Sequence, residues 1–193
     1  MMTANEKHVL KMLFTAFEDY SINEIARKCN LAPNGAFKIL KKFEREGMLN
    51  FQKIANIKAY RINYGNEKTK NILELALIPE LKGRMKFRLE DLRPLKTIAK
   101  ACIIFGSYLD KKEPNDMDIL LILDRKNFGG YKNKSRGIFT AMPVKVHDVL
   151  QTEEDFKDNI AKKDKVLIEI VQKGEILWGH KKVIELIENG HQR

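Results

Sequence analysis

Two carboxylates near the middle of the chain are the residues best suited to carry chemistry. Asp116 and Asp118 open the apolar run 116–122, and an apolar run of this length bounded by turn residues predicts a buried strand. Because side chains alternate along a strand, both carboxylates point to the same face. Paired hard oxygen ligands suit Mg²⁺, which keeps several waters and is commonly completed by substrate phosphates. The spacing therefore predicts a magnesium site at Asp116 and Asp118.

A Gly-Ser turn precedes these carboxylates and follows another apolar segment, which ends at Phe105. Gly106 has no side chain, so backbone N–H groups can approach a phosphate there, and the Ser107 hydroxyl adds a donor. Two buried strands must therefore position a phosphate-binding turn beside a metal site. The alternative is that these are ordinary polar residues at strand ends. That alternative does not explain two carboxylates on one face followed by an unbroken apolar run.

The next predicted strand, 144–150, offers two candidates for a third catalytic group. Alternation places Asp148 on the same face as Val144 and Val146, which suits the core, so a regular strand points His147 at the carboxylates. A β-bulge would redirect Asp148 instead. The distinction matters because a carboxylate can share a metal and activate a hydroxyl, whereas a neutral imidazole adds no negative charge for a second Mg²⁺. The alternative to a catalytic role is that His147 is a surface residue and that Asp148 makes only a local hydrogen bond or cap.

These residues resemble the nucleotidyltransferase superfamily that includes DNA polymerase β and the minimal nucleotidyltransferases. The shared pattern is an apolar strand, Gly-Ser, a loop, and Asp-x-Asp inside a second apolar strand, over roughly the last half of the chain. The loop 108–115 is somewhat shorter than in that family. The resemblance implies a polymerase-β palm-like fold that takes a nucleoside triphosphate with Mg²⁺. It also implies transfer of a nucleotidyl group to a hydroxyl acceptor, for which a partner protein is one candidate.

The segment 124–143, between the second and third of these strands, is rich in glycine and in basic residues. It predicts either a mobile, solvated connection or a loop that closes over phosphates or a nucleic-acid backbone. The residues concerned are Lys126, Gly129, Gly130, Lys132, Lys134, Arg136 and Gly137.

A second set of signals, at the amino end, predicts a winged helix-turn-helix. The pair Ser21 and Glu24 forms a capping box, and Pro33 suits the first position of a helix. The capping box, the Leu-Ala-Pro turn and the Glu-Gly exit resemble winged-helix transcriptional regulators. The predicted helices span 7–17, 21–30 and 33–46, and the predicted wing strands, joined by a tight turn, span 49–54 and 58–62.

The third predicted helix has an apolar stripe, which includes Ala36, Leu40 and Phe43, and a polar face opposite to it. In a helix-turn-helix, that outer face enters the DNA major groove. A solvated face or a protein-binding winged helix is the alternative. The candidate DNA-binding residues are Asn34, Lys38, Lys41, Lys42 and Arg45 on the helix and Lys53 and Lys58 on the wing.

The whole chain has a net charge of +10, and the positive charge is concentrated in its first half. Residues 1–64 hold eleven Lys or Arg and six Asp or Glu, and residues 65–100 hold nine and five. The remaining residues hold sixteen and fifteen. Nine of the ten net positive charges therefore lie in the first hundred residues, as expected for a nucleic-acid-binding region.

The predicted organisation is an α+β chain of two modules. Residues 1–64 form the winged helix-turn-helix, residues 65–80 a linker helix, and residues 81–193 a small mixed-sheet nucleotidyltransferase-like domain with flanking helices. A helix over 81–93 is expected to cover the sheet.

Cysteine usage and hydropathy exclude several classes of protein. Cys29 and Cys102 are far apart in the sequence, which suits neither a disulfide scaffold nor a zinc site. No apolar run approaches the roughly 18 residues of a membrane span, and no signal-peptide pattern is present, so a cytoplasmic protein is expected. Winged-helix regulators are often dimers, and by that analogy a homodimer is expected.

Two functions remain open at this point. The first is Mg²⁺-dependent nucleotidyl transfer, in a protein that also binds DNA through its winged helix. The second is a DNA-binding transcriptional regulator whose nucleotidyltransferase-like domain senses a nucleotide or is inactive. A third interpretation, in which both modules are protein-interaction scaffolds, leaves Asp116 and Asp118 unexplained. The third group at the site separates the first two functions, because catalysis needs that group and sensing does not.

Overall fold

The computed structural model describes residues 2–54, 57–81 and 83–191. The chain divides into two compact units, Met1–Leu77 and Ile78–Arg193. Their contents confirm the α+β prediction, because each unit combines helices with a separate sheet.

The first unit has the element order of a winged helix-turn-helix. β1 and β2 pair antiparallel, and the tight turn predicted between them lies outside the described residues. The predicted boundaries agree with the structure to within three residues. The elements are α1 (Ala4–Phe14), α2 (Ile22–Lys28), α3 (Pro33–Arg45), β1 (Leu49–Ile54), β2 (Ile57–Ile62) and α4 (Glu67–Leu77).

Local signals explain where the helices of this unit begin and end. The Ser21 hydroxyl accepts from the backbone N–H of Glu24, and the Glu24 carboxylate accepts from the backbone N–H of Ser21, which satisfies two free donors at the start of α2. Pro33 stands at the start of α3, where no backbone donor is needed. Gly47 follows α3 with φ +70°, a conformation that favours glycine. These signals fix where α2 and α3 begin and where α3 ends.

The segment predicted as a linker helix is part of the first unit. α4 lies against α1 and buries Thr69, Leu73 and Leu77, which are spaced four residues apart on one face. This burial joins α4 to the core of the winged helix, so the division between the units falls after Leu77.

The second unit is a four-stranded mixed sheet covered by helices, as predicted. The strand order is β5-β4-β3-β6; β4 and β5 are parallel, and the other two pairs are antiparallel. Short 3₁₀ turns lie at Arg93–Thr97 and Arg125–Asn127. The strands are β3 (Ala101–Phe105), β4 (Asp116–Ile122), β5 (Lys145–Gln151) and β6 (Glu175–Trp178). The helices are α5 (Arg84–Leu92), α6 (Ser107–Asp110), α7 (Phe128–Thr140), α8 (Glu153–Ala161), α9 (Lys165–Lys173) and α10 (His180–His191).

The glycine-rich segment is helical where sequence patterns predicted a loop. Parallel neighbours such as β4 and β5 require a crossover connection, and α7 supplies it. The helix packs on the sheet through Phe128, Tyr131 and Ile138, which recur at helical spacing. Burial of this face outweighs the poor helix propensity of the glycines, and this is why the composition of the segment was misleading.

Helices cover both faces of the sheet. One face, which includes Cys102, Ile104 and Ile119, packs against α5 and α7. The opposite face lies under α9 and α10, both of which contact β3. Gly174, at the end of α9, approaches Ile103 so closely that an added Cβ would lie 2.7 Å from its side chain. The sheet therefore leaves mainly strand ends available for a site.

In the part of the chain that the structure describes, no helix is both long enough and apolar enough to cross a bilayer.

The helical state of α7 can be tested with one substitution. Gly129→Ala is expected to raise the free energy of unfolding by roughly 0.5–1 kcal/mol, because alanine favours the helix and restricts the unfolded chain. A Cβ at Gly129 meets nothing within 4 Å. Gly174→Ala is the matched control and should destabilise, because its Cβ would lie 2.4 Å from the carbonyl oxygen of Ile170. Chemical denaturation measures both, and a destabilised Gly129→Ala variant would contradict the helix.

Candidate nucleotide and nucleic-acid sites

The paired carboxylates stand at the start of β4, at one end of the sheet. Asp116 and Asp118 share a face of the strand, separated by the buried Met117. Asp118 is opposite Phe105 on β3 and opposite His147 on β5. The side chains of Asp116 and Asp118 are 42% and 29% exposed, so both carboxylates can bind a ligand from solvent.

The structure brings His147 to the carboxylate pair. Its Nδ1 atom lies 3.4 Å from Oδ1 of Asp118 and 3.9 Å from Oδ2 of Asp116. This placement follows from the β4–β5 ladder, in which residues pair one for one over the full length of both strands. An uninterrupted ladder leaves the alternation of side chains intact, so His147 takes the third position.

Asp148 lies on the opposite face of β5, and its predicted catalytic role is corrected accordingly. Its Oδ2 atom accepts a hydrogen bond of 2.8 Å from the hydroxyl of Tyr131 on α7. Burial, together with this carboxylate, raises the pKa of Tyr131 well above its ordinary value, so the tyrosine stays a donor. The regular pairing of β5 with β4 leaves Asp148 turned away from the aspartates, and Asp148 instead ties α7 to the sheet.

The Gly-Ser turn touches the carboxylate site directly. Gly106 has φ +74° and ψ −160°, a region that glycine occupies almost alone. A Cβ at this position would lie 2.6 Å from Oδ2 of Asp118. The backbone conformation therefore favours glycine, and a larger residue would also displace the Asp118 carboxylate. Ser107 follows as the first residue of α6, directly after this contact.

A cavity of about 630 Å³ opens beside this turn, between α6 and α9. Its volume is within the roughly 300–1,000 Å³ of typical small-molecule sites. Apolar side chains form much of the wall, and the Glu169–Lys173 ion pair of 2.7 Å stands among them. The lining residues are Phe105, Gly106, Ser107, Leu109, Asp110, Val166, Glu169, Ile170 and Lys173.

The residues present fit Mg²⁺ as a cofactor completed by a ligand. Within the described ranges, no three His, Cys, Asp or Glu side chains form a preformed metal site. His147 lies on the neighbouring strand, and its Nδ1 atom is 3.4 Å from Oδ1 of Asp118. Mg²⁺ is usually held by one or two carboxylates with waters and substrate phosphates, so Asp116 and Asp118 suffice for such a site.

Sequence patterns missed one residue that holds the loop between the turn and the carboxylates. The guanidinium of Arg84, at the start of α5, donates to the backbone carbonyls of Tyr108, Lys111 and Lys112. It also lies 4.9 Å from the centre of the Tyr108 ring. Backbone carbonyls in a loop carry no sequence signature, so nothing in the sequence pointed to this contact.

In the first unit, α3 presents the predicted DNA-binding face to solvent. Asn34, Lys38 and Arg45 are exposed, whereas Ala36, Leu40 and Phe43 are buried in the core. Lys53 on β1 is also exposed. The exposed residues are therefore available to a ligand that covers α3 and the wing.

Three of the predicted lysines make ion pairs within the unit. Lys42 binds the buried Glu6 at 2.7 Å, and this hydrogen bond raises the pKa of Lys42. Lys58 donates to Glu44 at 2.9 Å, which lowers the pKa of Glu44, and Lys41 lies 3.2 Å from the same carboxylate. Lys42 and Lys58 thus hold α1 and the wing to α3, and they are less available to DNA than Lys38.

An exposed aromatic residue on α3 was not among the predicted DNA-binding residues. Phe37 is 42% exposed and lies outside the buried apolar stripe of the helix. Phe37 lies between Asn34 and Lys41 on the solvent side of α3. In the sequence it is an apolar residue that falls outside the apolar stripe of the helix.

Comparisons with known proteins give no close relative. No protein-family model matches the chain, and no curated protein matches it. Among solved structures, similarity is found to a mutant of Lactococcus lactis ZitR, at 18% identity and a TM-score of 0.32 over 50% of this chain and 57% of that chain. The aligned region thus spans little more than half of the ZitR chain.

Two further solved structures are similar at the same level. MepR, a transcription regulator of the Staphylococcus aureus multidrug efflux pump MepA, aligns at 17% identity and a TM-score of 0.34 over 50% of this chain and 78% of its own. A MarR family protein from Bacillus stearothermophilus aligns at 15% identity and a TM-score of 0.34 over 72% and 74%. Because these TM-scores are below 0.5, the description of both units rests on the geometry of this chain.

The contact between Gly106 and Asp118 predicts how the turn responds to mutation. Gly106→Ala should lower the free energy of unfolding by about 1–3 kcal/mol, because it combines an unfavourable backbone conformation with a steric conflict. Gly83→Ala is the matched control, since Gly83 also has a positive φ (+54°) but nothing lies within 4 Å of its added Cβ. Urea denaturation of both variants should show the larger destabilisation for Gly106→Ala. Equal destabilisation would contradict the contact with Asp118.

Proposed function

We propose that this protein is a DNA-binding regulator whose second unit binds a nucleoside triphosphate with Mg²⁺. The observation that carries the proposal is the position of His147 beside Asp116 and Asp118, where a transferring enzyme would need a third carboxylate. Two carboxylates are enough to hold one Mg²⁺ with phosphates, but a second Mg²⁺ would need further negative charge.

Nucleotide binding is supported by three features that meet at one end of the sheet. Asp116 and Asp118 supply metal ligands, and the glycine at position 106 lets the backbone of the turn pass close to Asp118, where its N–H groups can approach a phosphate. The cavity beside Ser107 offers a partly apolar wall of suitable size for a base and ribose. A bound Mg²⁺ would neutralise the phosphates, while these residues of the chain orient them.

DNA binding is supported by the exposed face of α3 and by the distribution of charge. Asn34 can bond a base edge, and Lys38 and Arg45 can contact phosphates or guanine. The Glu44 carboxylate fixes the wing to α3 through Lys58 and Tyr60, so both elements can contact one duplex together. The net charge of +5 on residues 1–64 favours a polyanion as the ligand.

Nucleotidyl transfer is the second candidate, and the proximity of His147 to Asp118 is the observation that favours it. A neutral imidazole held at this position could accept a proton from an attacking hydroxyl, for example on a partner protein. Incubation with a triphosphate labelled at its α-phosphate separates the candidates. We expect no label on the protein itself or on proteins of a host extract. Labelling that His147→Ala abolishes would establish the transferase instead.

The nucleotide site is tested by calorimetric titration of ATP, GTP, CTP and UTP with Mg²⁺. At least one should bind to the native chain, and Asp116→Ala/Asp118→Ala should remove that binding because the metal loses both ligands. Asp148→Asn is the matched control, since Asp148 lies on the opposite face of the neighbouring strand and its amide oxygen can still accept from Tyr131. The absence of binding for all four nucleotides would refute this half of the proposal.

The DNA interface is tested by fluorescence anisotropy with duplex DNA at several salt concentrations. Lys38→Ala/Arg45→Ala should weaken binding and reduce the slope of log K against log salt by about one for each phosphate that is no longer neutralised. Lys162→Ala/Lys181→Ala removes the same charge from exposed positions of the second unit and should leave the slope unchanged. Equal effects of the two double variants would show that overall charge, and not α3, governs binding.

A further inference from the structure

An exposed phenylalanine interrupts the polar face of α3. Phe37 lies between two surface hollows and lines both of them. One hollow, of about 430 Å³, is also lined by Ser21, Ile22, Asn23, Pro33, Asn34 and Lys58. The other, of about 410 Å³, is also lined by Glu6, Lys38, Ile39, Lys41, Lys42 and Arg45. The aromatic ring therefore stands between two hollows that polar and charged residues help to line.

The fold does not require an aromatic residue at this position. The core contacts of α3 are made by Ala36, Leu40 and Phe43, which are at most 2% exposed. A single exposed apolar residue is common on protein surfaces and by itself needs no explanation. The neighbours of Phe37 place it within the proposed DNA-binding face, because Asn34 and Lys41 lie one helical turn away on either side.

Double-stranded DNA presents one apolar group on its base edges in the major groove, the C5-methyl group of thymine. A phenylalanine on a helix in that groove is able to contact this methyl group, and an asparagine is able to pair with adenine through two hydrogen bonds. We infer that Phe37 is a specificity-determining residue that recognises thymine in a duplex bound to α3. The inference rests on the proposed DNA-binding function and adds to it the chemistry of the preferred sequence.

The cationic residues around Phe37 have a different task. Lys38, Lys41 and Arg45 attract the phosphate backbone of any sequence, and contacts of this kind position a protein without reading bases. An apolar contact to a methyl group adds little to this general affinity but distinguishes one base from another. Phe37 should therefore affect discrimination between sequences and leave binding to unrelated duplexes nearly unchanged.

The test begins with selection of bound sequences from a random duplex pool, using the full chain. We expect enriched sequences that contain A·T pairs. The selected duplex is then compared with the same duplex in which deoxyuridine replaces thymidine, a change that removes only the C5-methyl group. The native chain should lose affinity by about fourfold for each thymine recognised, the factor that corresponds to burial of one methyl group.

Phe37→Ala should abolish the difference between thymine and uracil duplexes while it retains binding to a scrambled duplex. Phe51→Ala is the matched control, because Phe51 on β1 is 50% exposed and also next to lysine, with Lys58 Nζ 3.5 Å from its ring centre. The control should keep the difference. Circular dichroism of both variants confirms that each retains its helices.

Each contrary result has a separate meaning. Equal affinity of the native chain for thymine and uracil duplexes, or a pool without enriched sequences, would overturn the role of Phe37 while DNA binding stands. A thymine preference that disappears in Phe51→Ala but persists in Phe37→Ala would assign recognition to the wing and would also overturn it. Failure of the native chain to bind any duplex would refute the proposed DNA-binding function, and the inference with it.

Discussion

The parallel pairing of β4 and β5 is the constraint on which the candidate nucleotide site depends. Because the two strands pair without interruption, the register that buries the apolar residues also places His147 beside Asp118. The same register directs Asp148 to the hydroxyl of Tyr131. One pattern of backbone hydrogen bonds therefore decides which residue can act at the site and which one holds α7 on the sheet. A shift of one residue would exchange these roles.

On α3, too, some charged residues hold the fold together while others remain free to meet a ligand. Glu44 accepts hydrogen bonds from Lys58 and Tyr60 and so fixes the wing against the helix. Glu6 likewise engages Lys42. These pairs are partly exposed and each contributes modestly to stability, but they determine orientation. Lys38 stays on the outer face as an exposed cation that can approach a polyanion, so the proposed DNA interface is smaller than the set of basic residues in the sequence.

Most elements of the fold were predictable because their signals are local. The capping box at Ser21, a proline at the first turn of α3 and glycine after its last turn marked α2 and α3. Apolar runs marked β3 and β4. The segment 128–140 was not predictable in this way, since its glycines argue against a helix when it is considered alone. Only the sheet beneath it supplies the burial that makes the helix stable.

By itself the sequence determined the order of helices and strands in the first unit and the placement of Asp116 and Asp118 on one face of a strand, because period-two alternation and helix caps depend on neighbouring residues only. The mixed sheet was expected only from the resemblance to nucleotidyltransferases, since strand pairing is a long-range property. The tertiary structure alone decided between His147 and Asp148, because a bulge depends on how two distant strands pair. It also revealed Arg84 as the residue that holds the loop after Ser107. Contacts to backbone carbonyls across the fold leave no pattern in the sequence, and they appear only once the chain has folded.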